Sequence, residues 1–176
     1  GAMLLVPGPT GSGKTTTLYS VLNLLNEPGR KIITAEDPVE YALTRVNQVQ
    51  VNSKIGLDFP RVLRTALRQD PDILLVGEMR DRETVEIGLR GAMTGHLVLS
   101  TLHTNDAVST AVRLLDMGAE AFLVAAALRG IVAQRLIRLN CDACIEAHQL
   151  EPERLEWITT QTGAEVDTSG FKRGRG

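Results

Sequence analysis

The sequence predicts an α/β fold: a mostly parallel sheet flanked by helices on both faces. Strand-like runs alternate with helical periodicity along most of the chain, and several of those strands are unbroken apolar runs rather than alternating ones. A glycine-rich loop stands between the first apolar run and the first helix. With 176 residues, 43% apolar and 23% charged, the chain can build one domain with a hydrophobic core but not two large ones.

Leu4–Val6 is a short apolar run stopped by Pro7-Gly8 and reads as a buried strand. Gly1-Ala2-Met3 looks like a cleavage and cloning scar and is set aside from the fold. Lys14–Leu25 carries Leu18, Val21, Leu22 and Leu25 at helical spacing, and Pro28-Gly29 ends it. Lys31–Ala35 is a second strand, and the imperfect alternation of Val46–Val51 predicts a half-exposed hairpin strand. Asp58–Arg68 suits a helix capped by Asp58, with Pro60 in its first turn. Ile73–Val76 is an apolar strand, Arg82–Met93 a helix and His96–Leu102 another buried strand. Helices over Ala107–Met117 and Ala121–Arg135 complete a core domain of residues 4–139. Residues 140–176 turn polar and charged, ending in the basic, glycine-rich Gly170–Gly176; an incomplete, partly disordered cysteine-containing subdomain is expected there.

Several function classes are disfavoured. Aromatic residues make up 3% and the net charge is −2, which argues against nucleic acid as a partner. No apolar stretch approaches the roughly 20 residues of a membrane span; the best, Phe122–Leu128, is stopped by Arg129. The expectation is a cytoplasmic protein without direct membrane insertion.

The chemistry begins at Gly8-Pro9-Thr10-Gly11-Ser12-Gly13-Lys14-Thr15, which fits G-x-x-x-x-G-K-S/T and continues into Thr16. Glycines let backbone N–H groups turn inward around a phosphate without side-chain clash, and the following helix aims its positive end at the same place. Lys14 would reach the β- and γ-phosphates of ATP, and the Thr15 hydroxyl would ligate Mg²⁺.

Phosphoryl transfer also needs carboxylates to hold the metal and aim a water. The strand Ile73–Val76 runs into Gly77-Glu78, so Glu78 sits at a strand's carboxyl end, where open α/β sheets bind ligands. Glu36 and Glu40 lie in a second acidic cluster after Lys31–Ala35; Glu36 is the stronger candidate, and Glu40 is alternatively a solvated hairpin residue. His103, just beyond the strand His96–Leu102, could sense the γ-phosphate, whereas His96 at the strand's start is ordinarily a structural residue.

Taken together, GPTGSGKTTTLYS, AEDPVEY, LRQDPDILLVGEMRD and TGHLVLSTLHTNDA resemble the Walker A motif, Asp box, Walker B motif and His box of secretion superfamily ATPases. The resemblance covers about residues 4–140, and AVRLLDMGAEAFLVAAALRGIVAQRLIR is most similar to type II secretion and type IV pilus-assembly motors, the mannose-sensitive haemagglutinin pilus kind especially. It implies a RecA-like core, a homohexamer and ATP hydrolysis that drives pilin or pseudopilin addition through an inner-membrane platform protein. It implies Glu78 as a magnesium-associated catalytic base, Glu36 as its support, and Arg68 and Arg113 as phosphate contacts, at least one across a subunit interface. Such motors also carry an amino-terminal domain over the nucleotide and two C-x-x-C pairs that hold zinc; Cys141 and Cys144 match one pair, a half-site, with His148 a candidate third ligand. A small-molecule kinase would need an arginine-rich lid, which this sequence does not contain.

Overall fold

In the computed structural model, residues 1–164 and 166–175 are described; Glu165 and Gly176, the end of the basic tail, lie outside them. The chain divides into two compact units, Gly1–Leu136 and Ile137–Gly176.

The first unit contains strands β1 (Ala2–Pro7), β2 (Ile32–Glu36), β3 (Asn47–Gln50), β4 (Ile73–Val76), β5 (Leu97–Leu102) and β6 (Leu128–Ile131). Its helices are α1 (Lys14–Leu25), α2 (Phe59–Leu67), α3 (Arg82–Met93), α4 (Ala107–Asp116) and α5 (Ala121–Ala127). The strands form one sheet in the order β3-β2-β4-β5-β1-β6, and every neighbouring pair is parallel.

Alternation along the strands divides the core between the two faces. Met3, Leu5, Ile33, Ala35, Leu74 and Val76 pack in one cluster with residues of α2, α3 and α5, while Val6, Ile32, Ile73 and Leu75 meet Leu18, Tyr19 and Leu22 of α1 on the other. Helices therefore cover both faces, as the apolar strands predict. Close packing shows at Gly91, where an added Cβ would stand 3.1 Å from Leu67.

Three elements differ from the sequence prediction. Residues 1–3 do not stand apart from the fold: Ala2 and Met3 pair with Leu97 and Val98, and Met3 is fully buried. The strand at 47–50 is no hairpin arm but a parallel edge partner of β2, with Ala35 opposite Val49. The helix predicted over 121–135 stops at Ala127, and the chain becomes β6, which lies along β1. Apolar residues and β-branched Ile131 suit an edge strand as well as a helix, and β1's free edge decides between them.

The second unit contains β7 (Ile145–Ala147), α6 (Pro152–Thr162) and β8 (Lys172–Gly174). β7 and β8 pair antiparallel, and α6 ends at Gly163 in the left-handed conformation. Cys141 and Cys144 are free thiols on one turn, closed by the Cys144 N–H to the Cys141 carbonyl at 3.1 Å. Among the described residues no helix is long and apolar enough to cross a membrane.

Aspartates cap α2, α3 and α4: Asp58 accepts from the Arg61 N–H at 2.9 Å, Asp81 from Thr84 at 2.8 Å and Asp106 from Ser109 at 2.7 Å. Asp81→Ala should lower stability by about 1 kcal/mol and Asp81→Asn by less, as urea unfolding would measure. Bonds from the Ser109 N–H and then its hydroxyl hold the Asp106 carboxyl below its ordinary value. Its stabilisation is therefore present above the unfolded carboxyl's pKa of about 4 and fades as pH falls through the lowered folded value, so the cost of Asp106→Ala should shrink on acidification.

Candidate functional site

The loop after β1 takes its shape from glycine. Gly13 has φ 82° and precedes α1 without any side-chain cap, in contrast to the aspartates that begin the next three helices. The first amides of α1 are thus left for an anionic ligand. At Gly8 the constraint is space, since a Cβ would lie 2.5 Å from the Ser12 hydroxyl and 2.6 Å from the Gln134 carbonyl. The buried Ser12 hydroxyl has no hydrogen-bond partner among the described residues.

Lys14 folds over this loop, its ammonium donating to the carbonyls of Gly8 at 3.0 Å and Pro9 at 2.9 Å. Burial pulls its pKa below the ordinary lysine value, and the negative charge of Glu78 opposes that shift. A ligand phosphate would offer Lys14 a stronger acceptor than two neutral carbonyls.

The sheet order brings the carboxyl ends of β2, β4 and β5 beside that of β1. A cleft of about 660 Å³ opens there, lined by the loop and α1 start (Thr10, Gly11, Gly13, Lys14, Thr15, Thr16) and by Glu36, Glu40, Glu78 and His103. Gly8, Pro9 and Ser12 form the loop's frame behind that lining.

The two principal carboxylates differ in environment. Glu36 is 3% exposed; it accepts hydrogen bonds from the Tyr19 hydroxyl and the Thr34 hydroxyl, and from Gln48 Nε2 at 3.1 Å. Burial, followed by the bond to Glu36, pushes the Tyr19 phenol far above its ordinary value. Glu78 instead pairs with Arg80 and lies 3.7 Å from His103 Nε2, so its oxygens face solvent-exposed partners at the cleft. Arg80 also stands 4.0 Å from Asp37 and is largely solvated, which limits what the pair contributes to stability. Thr101 and Ser100 hold the end of β4 by donating to the carbonyls of Gly77 and Val76, each at 2.7 Å.

Arg68 and Arg113 do not line the cleft of their own chain: Arg68 ends α2, Arg113 lies on α4, and both are exposed. His96 is also remote from the cleft, its Nδ1 lying 2.8 Å from the Gly91 carbonyl at the start of β5. Tyr19, Gln48, Arg80 and Gln134 are contributors that sequence reasoning missed. The buried-face spacing of Tyr19 with Leu18 and Leu22 could have flagged the first; nothing local marks the others.

The hard oxygen donors at the cleft suit Mg²⁺. The carboxylate of Glu36 is already engaged by three side chains, while Thr15, Asp37, Glu40 and Glu78 are further oxygen donors on the cleft lining. Among its described residues the second unit offers no zinc set. Among the described residues no three His, Cys, Asp or Glu side chains cluster, so His148 does not join the cysteines. The Ala143 N–H, then Cys144, hold the Cys141 thiol below its ordinary pKa, but two thiols fall short of a tetrahedral shell.

Comparison with known proteins finds relatives along most of the chain. The Type II secretion system protein E of Pseudomonas aeruginosa is 56% identical over 149 residues, covering 85% of this chain and 30% of the relative. The type IV pilus assembly ATPase PilB of Myxococcus xanthus is 63% identical over 142 residues, covering 81% of this chain and 25% of the relative. The chain thus spans under a third of the length of these curated relatives. Among solved structures, the pilus retraction motor PilT with bound ADP superposes with a TM-score of 0.71 at 46% identity, over 77% of this chain and 43% of that one. The sheet is the RecA-like core of such ATPases. The family described as Type II/IV secretion system protein matches residues 1–176, and the chain belongs to it.

Proposed function

We propose that the cleft binds and hydrolyses Mg²⁺–ATP, and that the chain is the motor core of a larger protein powering pilin or pseudopilin assembly in a bacterial type IV pilus or type II secretion system. The observation that carries this reading is the convergence of Lys14, Thr15, Glu78 and His103 on one cleft at the carboxyl edge of a parallel sheet. The names of the relatives support the machine to which it belongs.

In this reading Lys14 leaves the carbonyls of Gly8 and Pro9 for the β- and γ-phosphates, while the uncapped amides of α1 receive phosphate oxygens. When bound, Mg²⁺ would neutralise phosphate charge, with Thr15 and Glu78 as its nearest protein donors. Glu78 orients the attacking water and accepts its proton as the water adds to the γ-phosphorus, and Arg80 and His103 hold the carboxylate until then. Glu36 orders the neighbouring wall rather than acting as the base, and Glu40 contributes charge at the rim.

The rest of the proposal concerns assembly. Arg68 and Arg113 are free to serve a neighbouring subunit's phosphates in a homohexamer. An inner-membrane platform protein is the proposed partner, holding a cytoplasmic motor at the membrane periphery. Zinc belongs to this picture only in the whole protein, where further ligands would complete the pair Cys141 and Cys144.

In the full-length protein, Lys14→Ala should abolish binding of a non-hydrolysable ATP analogue in calorimetry. Glu78→Gln should keep that binding and cut turnover at least tenfold, roughly 1.4 kcal/mol of barrier. Undiminished turnover in Glu78→Gln would reject Glu78 as the base.

Turnover per subunit should also rise with protein concentration and level off once light scattering reports a complete ring. Mixing Lys14→Ala with Arg113→Ala protein should recover some activity, because one supplies the arginine and the other the nucleotide site. Full, concentration-independent activity in a monomer would contradict the ring.

A further inference from the structure

The segment beyond β6 follows β1 all the way to the phosphate loop: the Val132 N–H donates to the Leu5 carbonyl at 2.9 Å and the Gln134 N–H to the Pro7 carbonyl at 3.0 Å. At that point the Gln134 side chain uses both ends of its amide. Nε2 donates to the Ser12 carbonyl at 2.7 Å, and Oε1 accepts from the Thr17 hydroxyl at 2.7 Å. These contacts straddle the junction of loop and helix, because Ser12 precedes the left-handed Gly13 and the Thr17 N–H closes the first turn onto Gly13 at 3.0 Å.

Gln134 also sets the space available to the glycines. A Cβ on Gly8 would meet its carbonyl at 2.6 Å, and one on Gly13 its Nε2 at 2.9 Å. The next residue ties the segment to the loop after β5: Arg135 Nη2 donates to the Asn105 carbonyl at 2.8 Å, two residues beyond His103.

We propose that Gln134 is a positioning residue of the phosphate loop, a brace whose amide holds the loop and the start of α1 in the phosphate-receiving shape before any ligand enters. The proposal rests on reading the cleft as a nucleotide-phosphate site. Gln134 itself does not line the cleft, so it acts through Ser12, Gly13 and Thr17. Without the brace the loop must be ordered at the moment of binding, which weakens affinity. Once nucleotide is bound, Glu78 and its neighbours are undisturbed. The signature is therefore a rise in KM with little change in kcat.

The test uses the full-length protein, ADP with Mg²⁺ in titration calorimetry, and steady-state ATP turnover. Gln134→Ala should weaken ADP binding and raise KM about tenfold while kcat stays within about twofold. Thr17→Val removes one of the two side-chain contacts and should cost about threefold in affinity; added to Gln134→Ala it should cost little more. Unchanged ADP affinity in either single variant overturns the proposal, as do fully additive losses or a loss confined to kcat. If Gln134→Ala fails to fold by circular dichroism, Thr17→Val alone decides by the same criterion. Lys14→Ala serves as the control: ADP binding that ignores Lys14 defeats the phosphate-site reading itself, whereas binding that responds to Lys14 but not to Gln134 or Thr17 defeats only the brace.

Discussion

The cleft depends on a single geometric constraint, that all six strands of the main sheet run in the same direction. Parallel strands deliver their carboxyl ends to one edge, and the order β2-β4-β5-β1 sets Glu36, Glu78, His103 and the glycine loop side by side. A reversed β4 would send Glu78 to the far edge. The register is fixed on both faces at once, since a slip by one residue would exchange Leu74 and Val76 with Ile73 and Leu75 between the two core clusters. Burial of ordinary aliphatic side chains thereby fixes where the charged ones stand.

Burial also separates the roles of the two main carboxylates. Glu36 is sealed in the wall, and its hydrogen bonds link α1 through Tyr19, β2 through Thr34 and β3 through Gln48. A carboxylate tied to three elements in this way is held in place, and it suits a structural anchor. Glu78 has exposed partners, Arg80 and His103, that can be exchanged for ligand and water without breaking the core. On the proposed reading the fold puts its rigid carboxylate behind the reaction and its adaptable one in front.

The sequence reveals those features whose cause is local. The glycines and lysine of the loop, the Asp58 cap and the apolar runs of β4 and β5 each announce themselves within a few residues, and the structure has them in place. What it hides depends on distant partners. Residues 128–131 carry no local mark that separates strand from helix, and the free edge of β1 settles the matter. β3 looks like a hairpin arm because alternation reports half-burial and not direction. Gln134 contacts residues well over 100 positions earlier, so no pattern near it could disclose its part in the loop. Arg68 and Arg113 were candidates by resemblance, and within one chain both remain outside the cleft.

On the proposed reading the loop Gly8–Thr15 receives nucleotide phosphates, and Lys14 is held in reserve for them. The most direct measurement is a crystal structure of the full-length protein with ADP and Mg²⁺. The β-phosphate should lie inside the loop, with the Lys14 ammonium moved from the carbonyls of Gly8 and Pro9 onto its oxygens. Nucleotide bound elsewhere, or bound in the cleft while Lys14 still caps those two carbonyls, would contradict it.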